Sequence, residues 1–122
     1  MKKRPSKHDV NLLELIPTRR FGFSENAEGD VTVDMPRFHV EWMQRLLVPR
    51  AKSPFIRVKL DAFGSHVWKH IDGSLNVLRI SERLRTEFGE TLEQPEERVA
   101  AFMKLLQRRG FISLKTTDGE EV

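Results

Sequence analysis

His66 and His70 stand four residues apart in the stretch LDAFGSHVWKHIDGS, Leu60 to Ser74. On a helix that spacing puts both imidazoles on one face, where two rings can share a metal ion. A zinc site needs three or four ligands, and the sequence supplies no cysteine, no nearby third histidine and no HExxH glutamate. The pair therefore reads as two histidines on the solvent face of a helix, opposite Phe63 and Val67, with neither metal nor cofactor. No GxSxG, P-loop, GxGxxG or kinase pattern occurs. The carboxylate pairs Glu96-Glu97 and Glu120-Glu121 read as a helix start and a frayed tail. No residue set qualifies as catalytic, and the chain is not expected to be an enzyme.

The elements that carry these residues must fit in 122 residues, enough for one modest domain with a single core. The absence of cysteine excludes disulfide frameworks and thiolate chemistry and suits a reducing compartment, so a cytoplasmic address is expected. The basic start MKKRPSKHDVNLLELIP resembles the opening of a signal peptide, but Glu14 and Pro17 cut its apolar patch and no small-residue cleavage site follows. No segment approaches the run of about 20 apolar residues that spans a bilayer.

The net charge of +3 is unevenly divided. Residues 1–20 carry six Lys/Arg against Asp9 and Glu14, and residues 21–36 carry a net −4. Residues 37–59 set Arg37, Arg45, Arg50, Lys52, Arg57 and Lys59 against Glu41 alone, whereas residues 60–122 have nine basic and eleven acidic groups. The positive field belongs to the N-terminal half.

Along the chain, VNLLELI is compatible with a short helix capped by Asp9 or Asn11 and stopped by Pro17. RRFGFSENAEGDVTVDM reads as two strands around a polar turn, with Val31 and Val33 alternating against Asp30, Thr32 and Asp34. FHVEW alone could alternate as a strand, but PRFHVEWMQRLLVPRAKSP better suits a short amphipathic helix with Phe38, Trp42, Met43, Leu46 and Leu47 on one face, ended by Pro49 and followed by a basic linker. FIRVKL, Phe55 to Leu60, alternates strictly, with Ile56, Val58 and Leu60 on one side and Arg57 and Lys59 on the other. It is a third strand.

Three helices follow. The first is capped by Asp61, buries Phe63, Val67, Trp68 and Ile71, and stops at Asp72-Gly73. The second spans about Val77 to Phe88, with Ser74 or Asn76 as cap, Val77, Ile80, Leu84 and Phe88 inward, and Gly89 as terminator. The third has Pro95 in its first turn, Val99, Phe102, Met103 and Leu106 inward, and Gly110 just beyond its end. FISL adds a short strand. The expected fold is α+β and winged helix-turn-helix-like: a three-stranded antiparallel sheet packed on three helices. An N-terminal segment at 1–18 and an inserted helix or linker between strands 2 and 3 are added to it. The expected organisation is a single domain, 1–122, with a hairpin at 19–36, the insertion at 37–55, the third strand and helical core at 56–114, and a frayed tail at 115–122.

LDAFGSHVWKHIDGSLNVLRISERLRTEFG followed by VAAFMKLLQRRGFI resembles the PqqD family over about Ile56 to Leu114. The resemblance is carried by the strand end Leu60-Asp61, the aromatic-bearing helix closed by Asp72-Gly73, and the exit Arg109-Gly110. It implies a non-catalytic peptide-binding protein, a recognition element of ribosomal peptide modification or of pyrroloquinoline quinone synthesis. Such a protein takes a leader peptide as an added strand and presents it to a modifying enzyme, a radical SAM protein or similar.

The residues themselves support peptide binding in part. An edge strand carries amide and carbonyl groups that an extended peptide can satisfy. Phe55, Ile56, Arg57, Val58, Lys59 and Leu60 form the candidate edge, and Arg98, Phe102 and Leu105 of the third helix the expected opposite wall. The basic groups favour an acidic peptide. Trp42, Arg45 and Leu46 are the expected contact with a partner enzyme. The alternatives are a winged-helix DNA-binding protein, against which Glu96 and Glu97 at the start of the last helix argue, and a protein- or membrane-surface docking module. Whether the protein is a monomer or a homodimer stays open.

Overall fold

The computed structural model describes residues 11–36 and 55–122. Five strands are present among them: β1 (Ile16–Arg19), β2 (Gly22–Glu25), β3 (Val31–Pro36), β4 (Phe55–Lys59) and β5 (Ile112–Lys115). The helices are α1 (Ala62–His70), α2 (Val77–Phe88) and α3 (Pro95–Arg108). The architecture is α+β, with a three-stranded antiparallel sheet and three helices, as the sequence predicts. Residues 37–54 of the expected insertion, with its amphipathic helix and Trp42, Arg45 and Leu46, lie outside the described residues, and Phe55 already belongs to β4.

Two compact units divide the chain, Phe21–Ser65 in one and Met1–Arg20 with His66–Val122 in the other. The first is a sheet unit with strand order β2-β3-β4. Its hairpin closes over Asn26, whose Oδ1 accepts the amides of Glu28 and Asp30 at 3.0 and 2.9 Å. That Asx-type turn explains why β2 and β3 meet where they do. Val31 and Val33 are buried, and β4 lays Val58 opposite Val33 and Ile56 opposite Met35 on the same face. Asp61 caps the start of α1 by accepting the Gly64 amide at 2.7 Å. The buried Ser65 hydroxyl accepts the Val31 amide at 2.8 Å, fastening the first turn of the helix to β3.

The second unit holds the helical core. Val67, Trp68, Ile71, Val77, Ile80, Leu84, Val99 and Met103 are fully buried. The Trp68 and Phe111 rings meet edge to face, with centroids 6.4 Å apart and planes at 87°. Asn76 caps α2 by accepting the Arg79 amide at 2.8 Å, and Gly89, at φ 62°, ends it. Pro95 occupies the first turn of α3, where its missing N–H costs nothing.

One strand differs from expectation. VNLLELI is not a helix stopped by Pro17: only Leu12–Glu14 form a 3₁₀ turn, capped by Asn11, and Ile16 and Pro17 enter β1. β1 pairs antiparallel with β5, Ile16 opposite Lys115 and Arg19 opposite Ile112. So short a segment cannot stabilise a helix alone: the Glu14 and Leu15 amides donate within the 3₁₀ turn, the Leu15 carbonyl accepts the Val77 amide at 2.9 Å, and Ile16 pairs with β5.

Candidate functional site

β4 is the terminal strand in the order β2-β3-β4, and among the described residues no strand pairs with its other edge. The direction of its amides follows from two hydrogen bonds. Leu60 N donates to the Val31 carbonyl at 2.9 Å, and on the far side of β3 Asn26 N donates to the Asp30 carbonyl at 3.0 Å. In an antiparallel ladder hydrogen-bonded pairs alternate with non-hydrogen-bonded pairs. With Val33 opposite Val58 and Met35 opposite Ile56, the amides of Ile56, Val58 and Leu60 turn toward β3. Those of Arg57 and Lys59 turn to the open edge. Both hydrogen bonds give β3 the same parity, since they assign its odd-numbered residues to β4 and its even-numbered residues to β2.

Side chains alternate with the same period. Ile56, Val58 and Leu60 are half-buried, whereas Phe55, Arg57 and Lys59 are exposed, Phe55 at 47%. The edge therefore carries an aromatic ring and two cations on its outer face and three aliphatic groups on its inner face. Across the ladder Arg57 faces Asp34, Lys59 faces Thr32 and Phe55 faces Pro36.

Arg98, Phe102 and Leu105 are carried by α3 in the other unit. Arg98 is exposed, Leu105 is 43% exposed, and Phe102 is half-buried. Val99, Met103 and Leu106 form the buried face of that helix, so of the residues expected inward Phe102 alone lies at the boundary.

His66 and His70 are not free solvent-facing rings. His66 Nδ1 lies 3.0 Å from Glu87 Oε2, and His70 Nε2 lies 2.8 Å from Glu87 Oε1, so one carboxylate of α2 holds both rings of α1. The His66 ring also packs edge-on against Phe88, with centroids 4.9 Å apart. Burial pushes the Glu87 carboxyl up, but the hydrogen bond and charge of His70, then those of His66, outweigh it and leave the group below its ordinary value. Among the described residues no group of three or more His, Cys, Asp or Glu is arranged to hold a metal ion. The arrangement is a clamp between two helices, and sequence spacing concealed its third member because Glu87 lies 17 residues beyond His70. Asp72 plays a related part in the turn between those helices. Its Oδ1 accepts from Ser74 N, Ser74 Oγ and Leu75 N at 2.9, 2.8 and 3.1 Å, and the Ser74 amide above all lowers its pKa.

The described residues form a three-stranded antiparallel sheet whose terminal strand is β4, and three helices, the arrangement of a small α+β module. Residues 56–112, which contain most of the candidate edge and all three helices, match the family Coenzyme PQQ synthesis protein D (PqqD). No curated protein and no solved structure matches the chain. The match supports a general peptide-binding role related to the synthesis of PQQ or of modified ribosomal peptides, and the members of that family are non-catalytic accessory proteins. No helix among the described residues is long and apolar enough to cross a membrane.

Proposed function

We propose that the protein is a non-catalytic leader-peptide carrier. It takes the leader of a ribosomally made precursor as an added strand on β4 and presents it to a modifying enzyme such as a radical SAM protein. The observation that carries this reading is the outward direction of the Arg57 and Lys59 amides on a terminal strand. Buried or paired amides offer a peptide nothing, whereas a row of edge donors and acceptors two residues apart matches an extended backbone. Arg57 and Lys59 raise the association rate of an acidic leader. Arg98, Phe102 and Leu105 enter the proposal as contacts contributed by α3, and Trp42, Arg45 and Leu46 as the contact with the enzyme.

Calorimetric titration with a leader peptide, with the corresponding leaderless core peptide and with a short DNA duplex tests the reading. Saturable binding of the leader, without binding of the core peptide, is expected. If the leader does not bind and the duplex binds with a steep salt dependence, the winged-helix DNA reading replaces it.

A further inference from the structure

The two faces of β4 differ in chemistry as well as exposure, and a strand added to its edge must meet both. Directly opposed residues of neighbouring strands place their side chains on the same face, a few ångströms apart. A peptide residue opposite Arg57 or Lys59 therefore lies on the outer face beside a cation, and a residue opposite Ile56 or Val58 lies on the inner face beside a half-buried aliphatic group. The residue opposite Phe55 joins an exposed ring.

From this alternation we infer that the edge reads a five-residue code in its ligand: two acidic residues spaced i, i+2, an apolar residue between them, and two further apolar residues on one side. This inference deepens the proposed function and rests on it. For a peptide running antiparallel to β4 the order is acidic, apolar, acidic, apolar, apolar, and for a parallel peptide it is reversed. The requirement is for alternation and not for net charge. Acidic residues in a block would put every second carboxylate against Ile56 or Val58, where an unpaired charge loses its water without gaining a partner. Asp34 already faces Arg57 across the ladder, whereas Lys59 faces Thr32, so the acidic position opposite Lys59 contributes more to selectivity.

The test uses fluorescein-labelled 13-residue peptides with identical flanking residues, of which the two acidic ones share one composition. One carries a Glu-Val-Glu-Val-Val core, one has the same residues in blocks as Glu-Glu-Val-Val-Val, and a third carries Lys-Val-Lys-Val-Val. Fluorescence anisotropy is measured with the full chain, with Arg57→Glu/Lys59→Glu and with Arg57→Pro, each shown to be folded by circular dichroism. The expected result is that the parent binds the alternating acidic peptide about tenfold tighter than the block peptide, from a few cross-strand pairs of up to about 1 kcal/mol each. The double variant should reverse the preference toward the alternating lysine peptide. Equal binding of alternating and block peptides by the parent, lost for both in Arg57→Pro, overturns the code and leaves edge pairing standing. Failure of the parent to bind either peptide, or full binding by Arg57→Pro, overturns the edge reading and the code with it.

Discussion

Val58 lies directly across from Val33 in the β3–β4 ladder, and the Leu60 amide two residues further on donates to the Val31 carbonyl at 2.9 Å. These two facts make Val58 a ladder donor and its neighbours Arg57 and Lys59 edge donors. Proline separates the two roles because it removes one amide and fixes φ at a value that a strand edge tolerates. Val58→Pro should break the sheet and lower the urea midpoint, whereas Arg57→Pro should keep the parent's midpoint and lose peptide binding at every salt concentration. Equilibrium urea unfolding followed by circular dichroism, with peptide titration of each folded variant, reads both outcomes. A destabilised Arg57→Pro beside an unchanged Val58→Pro would reverse the assigned parity.

Trp68 is fully buried and meets Phe111 edge to face. Truncating so large a core side chain leaves a cavity that the surrounding helices cannot fill. Trp68→Ala should cost about 3–5 kcal/mol, a large fraction of a small domain's stability. The urea midpoint should fall accordingly, and an unchanged midpoint would contradict the packing of α1.

The Glu87 clamp makes a pH prediction whose sign follows from the lowered pKa of its carboxyl. A carboxyl held below its unfolded value of 4.5 contributes stability above that value and loses it as pH falls through the lower folded value. The thermal midpoint of the parent should therefore fall more steeply on acidification through and below pH 4.5 than that of Glu87→Gln, which has no carboxyl to titrate. Because the side chain is 36% exposed, solvent and salt reduce the effect, and it should shrink at high ionic strength. Parallel pH profiles for the two proteins would remove the clamp's contribution.

The helices were legible because each boundary has a local chemical cause: Asp61 and Asn76 as caps, Pro95 in a first turn, and Gly89 and Gly110 at positive φ. Apolar spacing likewise placed Val67, Trp68, Val77, Ile80, Leu84, Val99 and Met103 in the core, where the structure buries them. What escaped the sequence is long-range. β1 pairs with a strand from the other end of the chain, and Pro17, which reads locally as a helix stop, sits buried in that pairing. Glu87 looks like any charge on an amphipathic helix until the fold brings it to both histidines. The edge was legible as an alternating strand, but amide direction was not, since it depends on which residue of β3 stands opposite. Nor does any local signal foretell the left-handed conformation of Gln94, φ 47° and ψ 57°, just before α3.

Amide hydrogen exchange by NMR tests most directly whether a peptide adds to the β4 edge. In the free protein the amides of Ile56, Val58 and Leu60 should be protected by β3, and those of Arg57 and Lys59 should exchange quickly. Saturation with a leader peptide should slow exchange at Arg57 and Lys59 while leaving the pattern at Ile56, Val58 and Leu60 in place. Saturable binding with Arg57 and Lys59 still exchanging at their free rates would contradict strand addition at this edge.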